Sequence, residues 1–291
     1  MMHYMRLFVS EDCERMDSLR MERADGTAVS LERIWEGCGC LLLLGGPSIK
    51  KLPREVLCDR RTLTFGVNNI SGSIPTTGWV FGDTTDKFSN AIYDNPSILK
   101  FASFPRRGKR KARYRIKENG EFRWAARTIR EVPSMFFFER SCAFDPPTFF
   151  SGPCQWGTNR EAHGKTGRPR LLFTPFMAIR LLHYLGVKKV VCCGLDFDMR
   201  VDNGYAFEQA RDQNAVEANR NLYRTANIEL AALKPYIEKA GMRVYNANRN
   251  SGCTVFDYCP WEKAVEIASN CVPPYPADLA GWYESKGTVT N

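Results

Sequence analysis

Histidine is nearly missing from this chain: there are three in 291 residues, at positions 3, 163 and 183. With so few imidazoles a zinc site would rest on thiolates, yet neither Cys38-Gly39-Cys40 nor the Cys253/Cys259 pair has zinc-ribbon or zinc-finger spacing. Long apolar runs are missing too. No stretch approaches the roughly 18 uncharged apolar residues that a membrane helix needs, and the segment from Met1 to Cys13 lacks an apolar h-region and a small-residue cleavage site. The reading is of a soluble, unsecreted, cytoplasmic protein, with peripheral membrane association left open. A G-x-G-x-x-G fingerprint is absent. Asn159 stands where a Walker loop would need glycine, five positions before Gly164-Lys165-Thr166. These absences remove the dinucleotide dehydrogenases and the P-loop ATPases. No internal repeat is visible, which removes solenoids and propellers.

What is present describes a globular enzyme-sized chain. Hydrophobic residues at 44% and aromatics at 12% suffice for a real core. At this length one large α/β domain with an appendage is expected rather than two equal domains. Eleven cysteines form an odd number, and Cys58, Cys192 and Cys193 lie in apolar contexts where Cys behaves as a small hydrophobe, so most read as reduced thiols. The net charge of +9 favours anionic partners such as nucleotides, sugar phosphates, nucleic acid or membrane surfaces.

Apolar runs and turn residues divide the chain into an N-terminal appendage (1–37), an α/β domain (38–270) and a Pro-rich C-terminal tail (271–291). Cys40-Leu-Leu-Leu-Leu44 reads as a strand buried on both faces, ending in the turn Gly45-Gly46-Pro47-Ser48. A weak helix follows over 49–57. Further strands are expected at 63–67, ending in Asn68-Asn69, at 79–81, ending in Gly82-Asp83, at 99–103 and at 135–138. Between Arg106 and Lys117 eight of twelve residues are Lys or Arg. With no clear periodicity from there to Arg130, residues 106–130 read as a mobile basic insertion or lid. A long polar connection then leads to a helix over 174–185, a glycine stop at Gly186 and a buried strand at 189–193. A second such unit runs from a helix over 214–239 through Gly241 to a strand at 242–245, and a last helix covers 261–268. Short apolar strands with polar carboxyl ends predict a mostly parallel, Rossmann-like sheet flanked by helices, with ligands beyond those ends.

The Gly45-Gly46-Pro47-Ser48 turn offers backbone N–H groups and a hydroxyl where phosphate could sit, although such turns are as readily structural. Its companions follow in order: Asn68-Asn69, Gly82-Asp83, Thr174-Pro175, Gly194-Leu195-Asp196-Phe197-Asp198 and Tyr205-Ala206-Phe207. This order resembles the bacterial CMP-sialic acid-dependent sialyltransferases of the Campylobacter lipooligosaccharide type, glycosyltransferase family 42. It also resembles the wider DUF115-like group that holds archaeal hydroxymethylpterin pyrophosphokinases. The resemblance spans residues 40–255.

The resemblance implies a variant of the GT-A glycosyltransferase fold and a glycosyltransferase using a nucleotide-activated sugar of the CMP-sialic acid type. Its partners would be that donor and a glycan or other hydroxyl acceptor. It points to Gly46, Ser48, Asn68, Asp83, Thr174, Phe197 and Tyr205 for the nucleotide half of the donor, with Gly45, Asn69, Gly194, Asp196 and Asp198 in the same loops. Tyr205 and Arg168 or Arg170 would stabilise the departing phosphate. The family's loop Asn is Gly45 here, its third-strand Asn is Asp83, and its Tyr after Asp-Phe is Asp198. The family's histidine base falls near Arg224. The base would then be Asp83, Asp198, Glu208 or His163, with Asp83 favoured because it ends a strand at the cleft. Asp83 and Asp196 have turn-making and capping as their plain alternative, and His183 reads as a packing residue.

No cofactor is required by this reading. The pyrophosphokinase alternative would add Mg²⁺ on Asp83 and Asp86. A third reading, nucleic-acid binding or modification through the basic run with Tyr114, Phe122 and Trp124, rests on phosphate attraction and base stacking. Homo-oligomer formation stays open.

Overall fold

The computed structural model describes residues 3–4, 21–23, 28–29, 31–53, 55–56, 61–82, 85, 88–103, 113–118, 121–138, 144–150, 173–199, 205–206 and 213–269. Its centre is an eight-stranded sheet in which every neighbouring pair is parallel. In chain order the strands are β1 (Gly39–Leu43), β2 (Thr64–Val67), β3 (Gly78–Phe81), β4 (Leu99–Ser103), β7 (Met135–Phe138), β8 (Lys189–Cys193), β9 (Arg243–Asn246) and β10 (Asp257–Tyr258). Their spatial order is β7-β4-β3-β2-β1-β8-β9-β10. The chain builds outward from β1 in one direction, then returns to its other side with β8.

Continuous apolar runs form the middle strands because both faces are covered. Every residue of β1, β2 and β3 is buried. Cys40, Leu42 and Leu44 face the layer made by helices α2 (Thr174–Tyr184) and α3 (Gln213–Lys239), packing with Phe176, Ile179, Leu230 and Leu233. Leu41 and Leu43 face the other way, towards α4 (Trp261–Ser269), with Ile49, Ala264 and Ala268. A Cβ on Gly39 would lie 2.1 Å from the Ile267 carbonyl oxygen, so α4 presses directly on the start of β1. A second aromatic cluster, Trp79, Phe81, Phe88 and Tyr93, packs β3 against the short helix α1 (Asn90–Asp94), with Trp79 and Phe81 stacked at 4.4 Å. Inside it the Lys100 ammonium donates to the carbonyls of Asn95, Ile98 and Pro133, which is how a fully buried lysine is tolerated.

The two helix-glycine-strand units fall where expected. Gly186 (φ +93°) ends α2 and Gly241 (φ +75°) ends α3. Val187 N–H returns to Leu182 O and Met242 N–H to Ile237 O, the hydrogen bonds of a Schellman stop. One expectation is corrected, and two other segments show structure the sequence did not suggest. Residues 49–57 do not form one helix: a 3-10 turn, Pro47–Lys51, comes first, because Pro53 cannot continue it. Part of the basic insertion is ordered, as strand β5 (Arg113–Glu118) pairs antiparallel with β6 (Glu121–Thr128). Separately, Leu31 and Trp35, from the segment read as an N-terminal appendage, are buried in the core cluster. The earlier part of that segment contributes a small antiparallel ribbon of His3–Tyr4, Met21–Arg23 and Ala28–Val29.

Cys38 is disulfide-bonded, while Cys40, Cys192, Cys193, Cys253 and Cys259 are free. Burial pushes the thiols of Cys40, Cys192 and Cys193 well up and that of Cys253 up to about 11, which keeps them protonated. Among the described residues no group of His, Cys, Asp and Glu could hold a metal ion, and no helix is long and apolar enough to cross a membrane.

His183 packs on α2 against the ring of Phe150 at 4.6 Å, and its Nδ1 is buried without a hydrogen-bond partner. Desolvation first, then the nearby Arg180 charge and more weakly Lys188, lower its pKa to about 4, opposed by a backbone hydrogen bond with Ala240 and, least, by Glu36. Between about pH 6.5 and about pH 4 the unfolded chain therefore holds a proton that the folded chain refuses. Stability is expected to fall as pH falls through that window and to be insensitive to this group above it. Urea unfolding of wild type and His183→Leu across the window should show a shallower pH dependence in the variant. Equal slopes would remove His183 as the source.

Candidate functional site

The strand order reverses between β1 and β8, and a crevice beyond the carboxyl ends of the strands at such a switch point is the usual ligand position of an open parallel sheet. The 45–48 turn leaves β1 there and the 194–198 turn leaves β8. Two glycines let them touch. Gly46 N–H donates to Gly194 O at 3.0 Å, and a Cβ on Gly46 would sit 2.4 Å from that oxygen. Gly194 itself has φ +82°, and its Cβ would meet Leu44 O at 2.4 Å.

Asp196 joins the two turns. Its buried carboxylate accepts from Ser48 N–H at 2.8 Å, from the Ser48 hydroxyl, and from the Asn248 amide at 2.8 Å. The loop after β9 completes the brace. The Asn246 side chain donates to Leu195 O at 3.0 Å, Gly252 N–H to Asp196 O at 2.7 Å, and the Ser251 hydroxyl to Leu195 O. Asn246, Asn248, Ser251 and Gly252 were missed in the sequence. They end a strand on a run of Asn, the same signal that flagged Asn68-Asn69.

These bonds also occupy most of the N–H groups of the 45–48 turn. Gly46, Ser48 and Ile49 each spend their N–H inside the protein, and Pro47 has none, so these three groups serve the brace. The turn's hydroxyl is bonded too.

A second corner lies one strand over. Asn68 takes φ +54° at the end of β2. Its Oδ1 accepts from Gly82 N–H at 3.2 Å, its Nδ2 donates to the Thr174 hydroxyl at 3.4 Å, and its carbonyl accepts from Trp79 Nε1 at 2.8 Å. Thr174 opens α2, whose first turn carries the partial positive charge of a helix N-terminus. Asn69 follows, half-buried, in the 3-10 turn Asn68–Gly72. Ala206 N–H donates to Gly45 O at 2.8 Å, which brings half-buried Tyr205 to the same end of the sheet.

Phe197, at φ +50°, turns its ring away from the brace onto α3. It stacks on Tyr223 with centroids 4.8 Å apart and planes 8° from parallel, and Phe173 meets it edge-on at 5.5 Å. Beside this pair opens a cleft of about 270 Å³, bounded by exposed Asp198 and Gly252 and buried Met199 on the loop side and by Arg220, Tyr223, Arg224 and Asn227 on α3. Of the expected site residues the structure thus gathers Gly45, Gly46, Ser48, Gly194 and Asp196 in one brace. It joins Asn68 to Thr174 in a second corner and places Phe197 and Asp198 at the cleft. Asp83, Asp86, His163, Arg168, Arg170 and Glu208 lie outside the described residues, as does the 106–112 part of the basic run.

The chain is an α/β protein with an all-parallel central sheet and a crevice at its switch point. In structure it is similar to the sialyltransferase CST-II in complex with a trisaccharide acceptor and CMP, at 15% sequence identity and TM-score 0.44, covering 77% of this chain and 87% of that one. It is similar to Campylobacter jejuni CstII in complex with cytidine-5'-monophosphate at 13% identity and TM-score 0.44, covering 78% and 87%. The monofunctional alpha-2,3-sialyltransferase Cst-I from Campylobacter jejuni matches at 13% identity and TM-score 0.42, covering 78% and 82%. No family model matches the chain. No curated protein matches it either.

Proposed function

We propose that this protein is a glycosyltransferase-like enzyme that binds a nucleotide-activated sugar at the carboxyl ends of β1, β2 and β8 and transfers the sugar to a hydroxyl acceptor. The observation that carries the reading is the switch point between β1 and β8, where the braced turns meet the Asn68–Thr174 corner. The ordered loops that resemble the CMP-sialic acid-dependent sialyltransferases add the choice of donor.

In this reading the donor phosphate lies at the start of α2. The helix terminus and the Thr174 hydroxyl favour negative charge there. Asn68 holds Thr174 in place and keeps hydrogen-bonding capacity for the ligand. The base lies towards the 194–198 turn. Tyr205, with Arg168 or Arg170 from the neighbouring connection, stabilises the leaving phosphate, and that electrostatic effect is the main catalytic contribution. The acceptor proton goes to a carboxylate or imidazole among Asp83, Asp198, Glu208 and His163, of which Asp198 borders the cleft beside the turn. No metal takes part.

A bound ligand raises the melting temperature of the state that binds it. CMP, UMP, GMP and ATP should therefore be tested by thermal shift with Mg²⁺ and with EDTA, followed by release of sugar from CMP-, UDP- and GDP-sugars. CMP is expected to stabilise the protein equally in both conditions, and a CMP-sugar to be hydrolysed slowly without acceptor. Stabilisation by ATP only with Mg²⁺ would replace this reading with diphosphate transfer. No shift with any nucleotide would end it.

A further inference from the structure

The cleft beside Phe197 has a composition that neither packing nor a nucleotide at the strand ends explains. Arg220, Tyr223, Arg224 and Asn227 occupy positions i, i+3, i+4 and i+7 of α3, so one helix face is turned to it. The adjoining face of the same helix, Ala226, Leu230, Leu233 and Ile237, is buried in the core. Arg220 is held against the turn by its Nε bond to Met199 O at 3.1 Å, and its ion-pair partner, Glu217, is 4.0 Å away. Arg224 bonds to the neutral Asn221 side chain at 3.1 Å. By contrast Lys234, further along the helix, has both Val255 O at 3.0 Å and the Asp257 carboxylate at 3.4 Å. Two like charges one helical turn apart repel, and an anion between them would turn that repulsion into charge-assisted hydrogen bonds.

Asn227 fixes the wall of the cleft. The Asn227 amide donates through Nδ2 to Gly252 O at 2.7 Å, which fixes its orientation. Its Oδ1 is thereby the buried atom left without a hydrogen-bond partner. That atom is sealed from the open cleft, so Asn227 braces the wall against Gly252 and does not meet a ligand. The stacked Phe197–Tyr223 pair adds an apolar wall, and about 270 Å³ lies at the small end of ligand sites.

We propose that this cleft is an acceptor subsite for an acidic sugar, its phosphate or carboxylate held by Arg220 and Arg224 and its ring laid against the Phe197–Tyr223 pair. The proposal rests on the glycosyltransferase reading for the word acceptor, but the oxyanion site itself does not. The 194–199 turn is then a wall with two faces. Asp196 turns its carboxylate to the 45–48 loop, and Phe197 turns its ring to the cleft.

Calorimetric titration of the full chain with glucose 6-phosphate, inorganic phosphate and glucose, with and without saturating CMP, tests it. Glucose 6-phosphate is expected to bind more tightly than inorganic phosphate, and glucose about tenfold or more weaker than its phosphate. CMP should not displace it. Arg220→Gln and Arg224→Gln, both on the exposed helix surface, should each weaken glucose 6-phosphate by about tenfold while the CMP thermal shift stays at its wild-type value. Displacement by CMP would reassign the arginines to the donor's phosphate and overturn the acceptor assignment. Unchanged affinity in both arginine variants, or no binding of either oxyanion, would overturn the subsite. If glucose 6-phosphate binds through the arginines and no nucleotide binds, the oxyanion site stands and the glycosyltransferase reading falls.

Discussion

Replacing Asp196 with alanine is expected to lower stability by about 3 kcal/mol or more, because two Ser48 donors and the Asn248 amide lose a buried carboxylate together. Hydrogen bonds to a charged acceptor contribute about 1.5–3 kcal/mol each, and the three share one group, so their sum is an upper limit. Asp196→Asn should cost markedly less. Its carbonyl can keep the Ser48 N–H, and the Ser48 hydroxyl can rotate to accept from the new amide. The Asn248 side chain cannot flip as freely, since its oxygen already accepts from Asn250 N–H at 3.1 Å. Urea unfolding gives the comparison, with an unchanged denaturant slope showing that the same surface is exposed. CMP stabilisation should vanish in the alanine variant, because both turns that frame the crevice lose their tie. An alanine variant within about 0.5 kcal/mol of wild type would mean that Asp196 meets the ligand rather than the loops.

That role for Asp196 was only half legible in the sequence. The strands themselves could be read, since Cys40-Leu-Leu-Leu-Leu44 and Lys189-Val-Val-Cys-Cys193 are apolar runs that only two covered faces permit. So could the stops at Gly186 and Gly241, whose positive φ is a local demand. The partners of Asp196 could not: Ser48 is 148 residues away and Asn248 is 52, and no local pattern announces which strand lies beside which. Likewise the N–H groups of the 45–48 turn looked available until the neighbouring turn was in place.

The hairpin was legible and was missed. Asn119-Gly120 between two runs of six and eight strand residues is a strong short-range hairpin signal, but the density of Lys and Arg suggested a solvated loop. Phe197 shows the reverse case. Its place in the Gly-Leu-Asp-Phe-Asp motif marked it as functional, yet nothing local foretold the left-handed backbone that turns its ring onto Tyr223. The Arg220–Arg224 pair reads in the sequence as one more solvated helix face. It becomes a site only because the 194–199 turn and Gly252 close a cleft over it.

Asn68 allows the scaffold and the ligand contact to be separated. Its φ of 54° costs an ordinary residue about 1–2 kcal/mol and glycine nothing, while Asn tolerates it. Its amide independently ties Gly82 to Thr174. Asn68→Gly removes the amide and keeps the backbone at ease, so a loss of about 1 kcal/mol is expected. Asn68→Ala removes the amide and strains the backbone as well, for a total of about 2–3 kcal/mol. Nucleotide affinity should follow the amide rather than the backbone, falling about tenfold or more in both variants, because Thr174 then loses the partner that orients it at the start of α2. Equal stability of the two variants would show that the left-handed conformation costs nothing here. A glycine variant that still binds CMP like wild type would make Asn68 a brace between strands and move the phosphate site away from Thr174.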